Sequence, residues 1–569
     1  MATTIVSGGE TSTRTGVERD WMAWALGIVV VLIAAMFLIY PLVNAALLAF
    51  VKNGEPVSVA NLTFANFARF FTAASYQRAL WNSMYSGVAA TLLATALALP
   101  MAYAVARIDM PYRGLISAMT VVPLISPPFI GAYAWIILLG KNGTITQWVH
   151  AYIGWTLPAI YGPPGVILAL ALSYFPYVFL IVQGALAAAD RHIEEAARMA
   201  GASRARILGT ITLPLVLPAI AAAMLIVFIK SIGDFGVPSI LGGEFQVLPT
   251  LIYYQIHGFF NLGAASAIAM VNVLLTLAAM ATLAWIHRHR SFVTIGGTAE
   301  AAPRHTGLGA RSFGNAYCWL VIVVAILPQI VIALASFAGR WPGTMLPESY
   351  TLDHYRAVWS QLTRPIANSL ILAGGATALC VVFGTATAYA SARDRLRARW
   401  ALDLTIMLPF VLPGLVVGVA YLTAFNSGPL VLTGTALIIV LAYFTRRVAF
   451  VFRSVATAIA QIDPKLEDAS TICGASWGTT MRRVLVPLAA PAILAGAILV
   501  FSTLIGEISA TVLLYSAKWK TISVAIYELV LGDQLAQASA IGTITTVMTL
   551  LLVLVASRLA GKNMAELFR

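Results

Sequence analysis

The sequence predicts an all-α polytopic membrane protein, about 12 transmembrane helices as two parallel six-helix repeats. Three observations lead there. Of 569 residues, 60% are apolar and only 10% charged, whereas soluble domains carry about 25% charged residues. The apolar residues fall in blocks of twenty or so, the length needed to cross a bilayer. The two halves of the chain also resemble each other. Together these exclude a soluble enzyme, a disordered scaffold and a fibrous protein. Cys318, Cys380 and Cys473 lie far apart in or beside apolar stretches, which suggests neither a disulfide framework nor a metal site.

Taken in order, residues 1–20 are polar, and the run 21–50 is too long for a signal-peptide core, so it reads as an uncleaved first span. Five more spans are expected near 82–106, 114–138, 165–188, 211–231 and 262–286. The second set is expected near 315–338, 367–392, 400–424, 432–452, 484–512 and 538–557. Several contain proline, among them Pro123, Pro127, Pro128, Pro176, Pro328, Pro409 and Pro413. Bundled membrane helices tolerate it because neighbours satisfy the freed backbone groups.

The charge excess has a place in this scheme. Lys and Arg number 35 against 22 Asp and Glu, a net charge of +13. With the N-terminus inside, the inner loops hold 23 of those 35 cations and the outer loops nine. This is the positive-inside bias rather than a nucleic-acid-binding surface. Both termini are then cytoplasmic and the lipid bilayer is the partner.

The repeat is visible without gaps between 82–107 and 368–393, which share Asn82/Asn368, Ser83/Ser369, Tyr103/Tyr389 and Arg107/Arg393. Pro123 and Pro127 fall on Pro409 and Pro413 at the same offset. An even number of spans per half makes the repeats parallel, related by an axis along the membrane normal. The domain limits expected are 1–286 and 315–569, joined by a polar, glycine-containing cytoplasmic linker at 287–314.

The strongest signal lies after the fourth span of each half. The first copy carries Asp190, Glu194, Glu195, Ala196, Ala197, Gly201, Ala202 and Ser203, then Ile211, Leu213 and Pro214. The second carries Asp463, Glu467, Asp468, Ala469, Ser470, Gly474, Ala475 and Ser476, then Val484, Val486 and Pro487. Each reads as a short helix with an Asp available to cap it and acids in its first turns. Small residues make a thin face that can enter a cleft, Gly201 allows a turn, and proline starts the next span. An ordinary capped connector is the bland alternative.

The first copy matches the pattern E-A-A, three residues, G, nine residues, I-x-L-P at every position. It resembles the cytoplasmic signature, or EAA motif, of membrane subunits of binding-protein-dependent ABC importers. The second copy departs at Asp468, Ser470 and the two valines but keeps Gly474 and Pro487. The resemblance implies two fused permease domains, moving a substrate brought by a periplasmic binding protein. It also implies that each loop is a coupling helix docking on one of two ABC ATPase subunits. No G-x-x-x-x-G-K-[ST] phosphate loop is present; Gly140-Lys141 and Gly561-Lys562 lack its other residues. The chain is therefore expected to be no enzyme, to bind no cofactor or metal, and to leave ATP and magnesium to its partners.

Acids within spans are functional candidates. Asp234 in Gly233-Asp234-Phe235-Gly236 aligns with Glu507 in Gly506-Glu507-Ile508-Ser509. Glu507 lies 19 residues beyond Leu488, about 28 Å of helix, near the outer mouth. Arg446 and Arg447 fall in the tenth span, where they line a path, meet Glu507 or snorkel to an interface. The fused layout and the segment 233–238 look most like ferric-iron importers; permeases for aminoethylphosphonate, thiamine and polyamines share the architecture. The rival of another class is a proton-coupled secondary transporter, which would need a proton-relay acid at mid-bilayer.

Overall fold

The computed structural model describes residues 28–190, 192–289, 307–341, 344, 346–393, 399–428 and 430–559. The polar segment 1–20, the start of the first span, most of the linker and the last ten residues lie outside these.

The described residues form helices almost throughout. The first half contains α1 (Ile28–Leu48), α2 (Ala74–Arg107), α3 (Arg113–Ile125), α4 (Pro128–Leu139), α5 (Pro163–Ala188), α6 (His192–Met199) and α7 (Ala205–Ile232). It ends with α8 (Gly236–Leu241), α9 (Leu248–His257) and α10 (Leu262–Ile286). The second half repeats the order with α11 (Leu308–Phe337), α12 (Thr363–Ala392), α13 (Arg399–Val411), α14 (Gly414–Ala424), α15 (Ala436–Gln461), α16 (Lys465–Ile472) and α17 (Trp477–Ile505). It closes with α18 (Ile522–Leu531) and α19 (Leu535–Val555). A two-stranded hairpin, Ala338–Arg340 with Ser349–Tyr350, follows α11.

Nine described helices are long and apolar enough to cross a membrane, and two bent pairs, α3 with α4 and α13 with α14, make eleven. The twelfth element is α15, whose 26 residues match α5 in length but include Arg446, Arg447 and Arg453. These are the twelve positions expected from the sequence.

Two of them are not single rods. The chain turns by 94° between α3 and the helix after it, and by 110° between α13 and α14. The cause is local. Ser126, just before Pro127, is extended at φ −81°, ψ 133°, because the proline ring excludes the helical region for the residue ahead of it. Pro413, at the equivalent break, is also extended at φ −54°, ψ 144°.

Proline shapes the long helices too. Three five-residue π turns, Ala35–Ile39, Leu208–Thr212 and Met481–Leu485, each end two residues before a proline: Pro41, Pro214 and Pro487. A proline nitrogen cannot donate to the carbonyl four residues back, and a widened turn accommodates the gap. The carbonyl freed by Pro41 is that of Phe37. It accepts hydrogen bonds from Tyr421 Oη at 2.7 Å and Thr445 Oγ1 at 3.1 Å. Pro100 in α2 likewise frees Ala96, where Tyr317 Oη donates at 3.4 Å to that carbonyl and at 3.2 Å to Leu97.

Those bonds run between halves. The first helix of each half packs on the other half, α1 against α14 and α11 against α4. Tyr133 of α4 donates to the Ala538 carbonyl of α19 at 3.2 Å. Within each half the main contact is α2 with α5, and α12 with α15. The stretches expected as outer loops at 232–261 and 513–537 fold into α8, α9 and α18, which pack against α4 and α5, α10 and α2, and α19 and α12 respectively.

Candidate functional site: coupling helices and a charged cluster

The coupling loops form as helices built alike. Asp190 Oδ1 accepts the His192 amide at 2.9 Å and Asp463 Oδ1 accepts the Lys465 amide at 2.9 Å, so each aspartate caps its helix start. Each helix ends at a glycine in the left-handed region, Gly201 at φ +84° and Gly474 at φ +81°, where a β-carbon is disfavoured. Pro214 and Pro487 lie in the first turn after the π segments.

The first acid of each loop does not face outward. Glu194 and Glu467 are buried, at 6% and 2% exposure. Glu194 Oε1 meets Arg107 Nη2 at 3.0 Å and accepts from Thr212 Oγ1 at 3.1 Å. Glu467 Oε1 meets Arg393 Nε at 2.6 Å, and its Oε2 accepts from Tyr389 Oη at 3.1 Å. Trp477 Nε1 donates to that same tyrosine oxygen at 3.3 Å. Arg107 is the last residue of α2 and Arg393 caps α12. Each coupling helix is thereby pinned to the end of the second helix of its repeat.

The outward face carries other residues. Ile193 and Met199 on α6 are 44% and 89% exposed, and Leu466 and Ile472 on α16 are 46% and 87% exposed. Ala196 and Ala469 are exposed between them, as is Asp468; Glu195 and Ala197 are half-buried. Glu195 lies 3.7 Å from His192 Nδ1. Helical spacing puts Ile193, Ala196 and Met199 on one stripe, an exposed apolar ridge.

The candidate acids in the spans sit at the far ends of α7 and α17, opposite the coupling helices. Glu507 is buried and meets both arginines of α15: Oε2 lies 2.5 Å from Arg446 Nη1 and 3.1 Å from Arg447 Nη2. Its Oε1 accepts the Ala510 amide at 3.2 Å. Of the three expectations for Arg446 and Arg447, that they line a path, meet Glu507 or snorkel, the contact with Glu507 is present for both. Asp234 takes a different partner at the equivalent place: Oδ2 accepts from Tyr174 Oη at 2.6 Å, and Oδ1 accepts the Val237 amide at 2.8 Å. Tyr174 and Arg447 occupy equivalent positions, since both repeats align at an offset of 273 in this region. Lys230 lies on α7 one turn before Asp234.

The glycine ahead of each acid touches the opposite repeat. A β-carbon on Gly233 would lie 3.0 Å from Pro413 Cβ, and one on Gly506 would overlap Pro127 Cγ. The breaks between α3 and α4 and between α13 and α14 thus abut the acid-bearing ends across the repeat boundary. Nothing in the sequence marked this contact, although both prolines stood out in the repeat alignment.

The model of the family "Binding-protein-dependent transport system inner membrane component" matches residues 90–291 and again 380–562. The ferric transport system permease protein FbpB of Actinobacillus pleuropneumoniae is 29% identical over 92% of this chain and 76% of its own length. FbpB 1 of Haemophilus influenzae, also named for ferric transport, is 29% identical over 86% of this chain and 77% of its own. A Salmonella typhi permease, whose name assigns it to 2-aminoethylphosphonate transport, is 32% identical over 45% of this chain and 97% of its own length. With a family match covering each half, the chain belongs to the binding-protein-dependent inner membrane components, the permeases of ABC importers, with two permease domains in one polypeptide.

Proposed function

We propose that this permease carries ferric iron, handed over by a periplasmic binding protein and driven by two separate ATPase subunits seated on α6 and α16. The observation that carries the coupling half of this reading is the pair of buried ion pairs. An ATPase pulling on the apolar ridge of α6 moves Arg107, and with it α2, instead of flexing a loop. The same holds for α16, Arg393 and α12. Asp234, Glu507, Arg446 and Arg447 then line the route between the repeats. The excess of cations in the inner loops supports a cytoplasmic position for α6, α16 and both termini.

The iron cargo is supported by the two relatives named for ferric transport, each aligned over most of both chains. Aminoethylphosphonate is the second reading, supported by the Salmonella relative. The test is co-purification followed by transport in proteoliposomes. A stoichiometric pair of ATPase subunits and vanadate-sensitive uptake of labelled iron are expected. Proton-driven, vanadate-insensitive uptake would overturn the importer reading.

A further inference from the structure

The group of charges between the repeats has donors to spare and acceptors already in use. Lys230, Arg446 and Arg447 supply three positive charges; Asp234 and Glu507 supply two negative ones. Every carboxylate oxygen is engaged: the Asp234 pair by Tyr174 and the Val237 amide, the Glu507 pair by the two arginines and the Ala510 amide. The donors are not. Arg446 Nε and Arg447 Nε are buried without a hydrogen-bond partner, and among the described residues no hydrogen bond or ion pair of the half-buried Lys230 is found. Unpaired buried donors are costly, and ionised donors form their strongest bonds with oxyanions.

Neither extra cation is repeated: each half contributes one that its counterpart lacks. Lys230 aligns with Thr503, and Arg446 with Ser173, so these two cations were not required by the repeat itself. Charge within a membrane span is expensive and marks function. A bare trivalent metal ion would meet net repulsion here, in a setting where charges act strongly on one another.

We infer that this cluster receives an oxyanion, a phosphate, phosphonate or carboxylate group, so that cargo passes as an anionic species and never as a bare cation. The inference rests on the importer reading and refines its cargo. Two sources share this chemistry: an anion bound to ferric iron and carried with it, or an organic phosphonate as the cargo itself.

The sign of a charge reversal at Lys230 separates the alternatives. The full complex with its ATPases and binding protein, in proteoliposomes, is compared with Lys230→Glu, Lys230→Gln and Lys230→Arg. Iron is offered as its phosphate or citrate complex with metal and anion both labelled, and 2-aminoethylphosphonate is offered without iron. Lys230→Glu is expected to lower uptake about tenfold or more, Lys230→Gln less, and Lys230→Arg to restore it, which also shows that the variants fold. Labelled anion entering with iron identifies the carried-anion source; phosphonate entry without iron identifies the other. Iron entering alone, at an equal or greater rate in Lys230→Glu, overturns the inference and leaves the iron reading standing. No iron entry under any condition overturns the iron reading, and phosphonate uptake then decides: loss in Lys230→Glu supports the inference, while no change or no uptake refutes it.

Discussion

In the first repeat the acid at the end of α7, Asp234, is held by a phenol and a backbone amide. In the second, Glu507 at the end of α17 also accepts a backbone amide, but two arginines take the place of the phenol. At the other end of the same helices the repeats agree: Glu194 with Arg107, Glu467 with Arg393, each buried. On the proposed reading coupling demands the same motion from both halves, which accounts for an ion pair kept twice. If the cluster meets cargo as proposed, that contact is shared by the halves and need only be right in sum, so its two sides are free to differ.

The comparison breaks most sharply at Glu507. Glu507→Gln leaves Arg446 and Arg447 without their counter-charge, an imbalance of about 3–5 kcal/mol for a buried pair. Asp234→Asn keeps an acceptor for Tyr174 and is expected to cost about 1–3 kcal/mol. Thermal unfolding of the purified complex and initial uptake rates measure both; equal effects would show that the two acids are equivalent after all. The double variant is expected to lose transport while its ATPase subunits still co-purify.

At the coupling ends the expectation is likeness. Glu194→Ala and Glu467→Ala each strand a buried arginine, at about 3 kcal/mol. Each is expected to lower cargo uptake per ATP hydrolysed at least tenfold or so, measured as the ratio of the two rates. A large effect from one and none from the other would mean that only one coupling helix carries force. The smallest effects are expected at the boundary glycines. Gly506→Ala overlaps Pro127 and should cost about 1–3 kcal/mol by overpacking; Gly233→Ala, whose new β-carbon meets Pro413 at 3.0 Å, should cost less. Thermal shifts of the two variants, ranked in that order, check it.

Much of this was legible in the sequence. Apolar blocks located all twelve elements, and paired Asn, Pro, Tyr and Arg positions located the repeat. Capping aspartates and turn glycines located the coupling helices. What escaped was non-local. The burial of Glu194 depends on Arg107, 87 residues away, and no local pattern separates a buried acid in a helix's first turn from an exposed one. The identity of Arg107 with Arg393, visible in the alignment, was the available signal. The helices α8, α9 and α18 were hidden for another reason: they are too short to span and lie between spans, where length gives no guide.

The bond from Tyr421 to the Phe37 carbonyl has a consequence for biosynthesis. Its partners are 384 residues apart, so at about 5–20 residues per second the acceptor waits roughly 20–80 s for its donor to be made. Until then α1 stands in the bilayer with a widened turn and an unmet carbonyl, a state that lipid cannot relieve. The packing of α1 is therefore complete only once α14 and α15, which carry Tyr421 and Thr445, have been made.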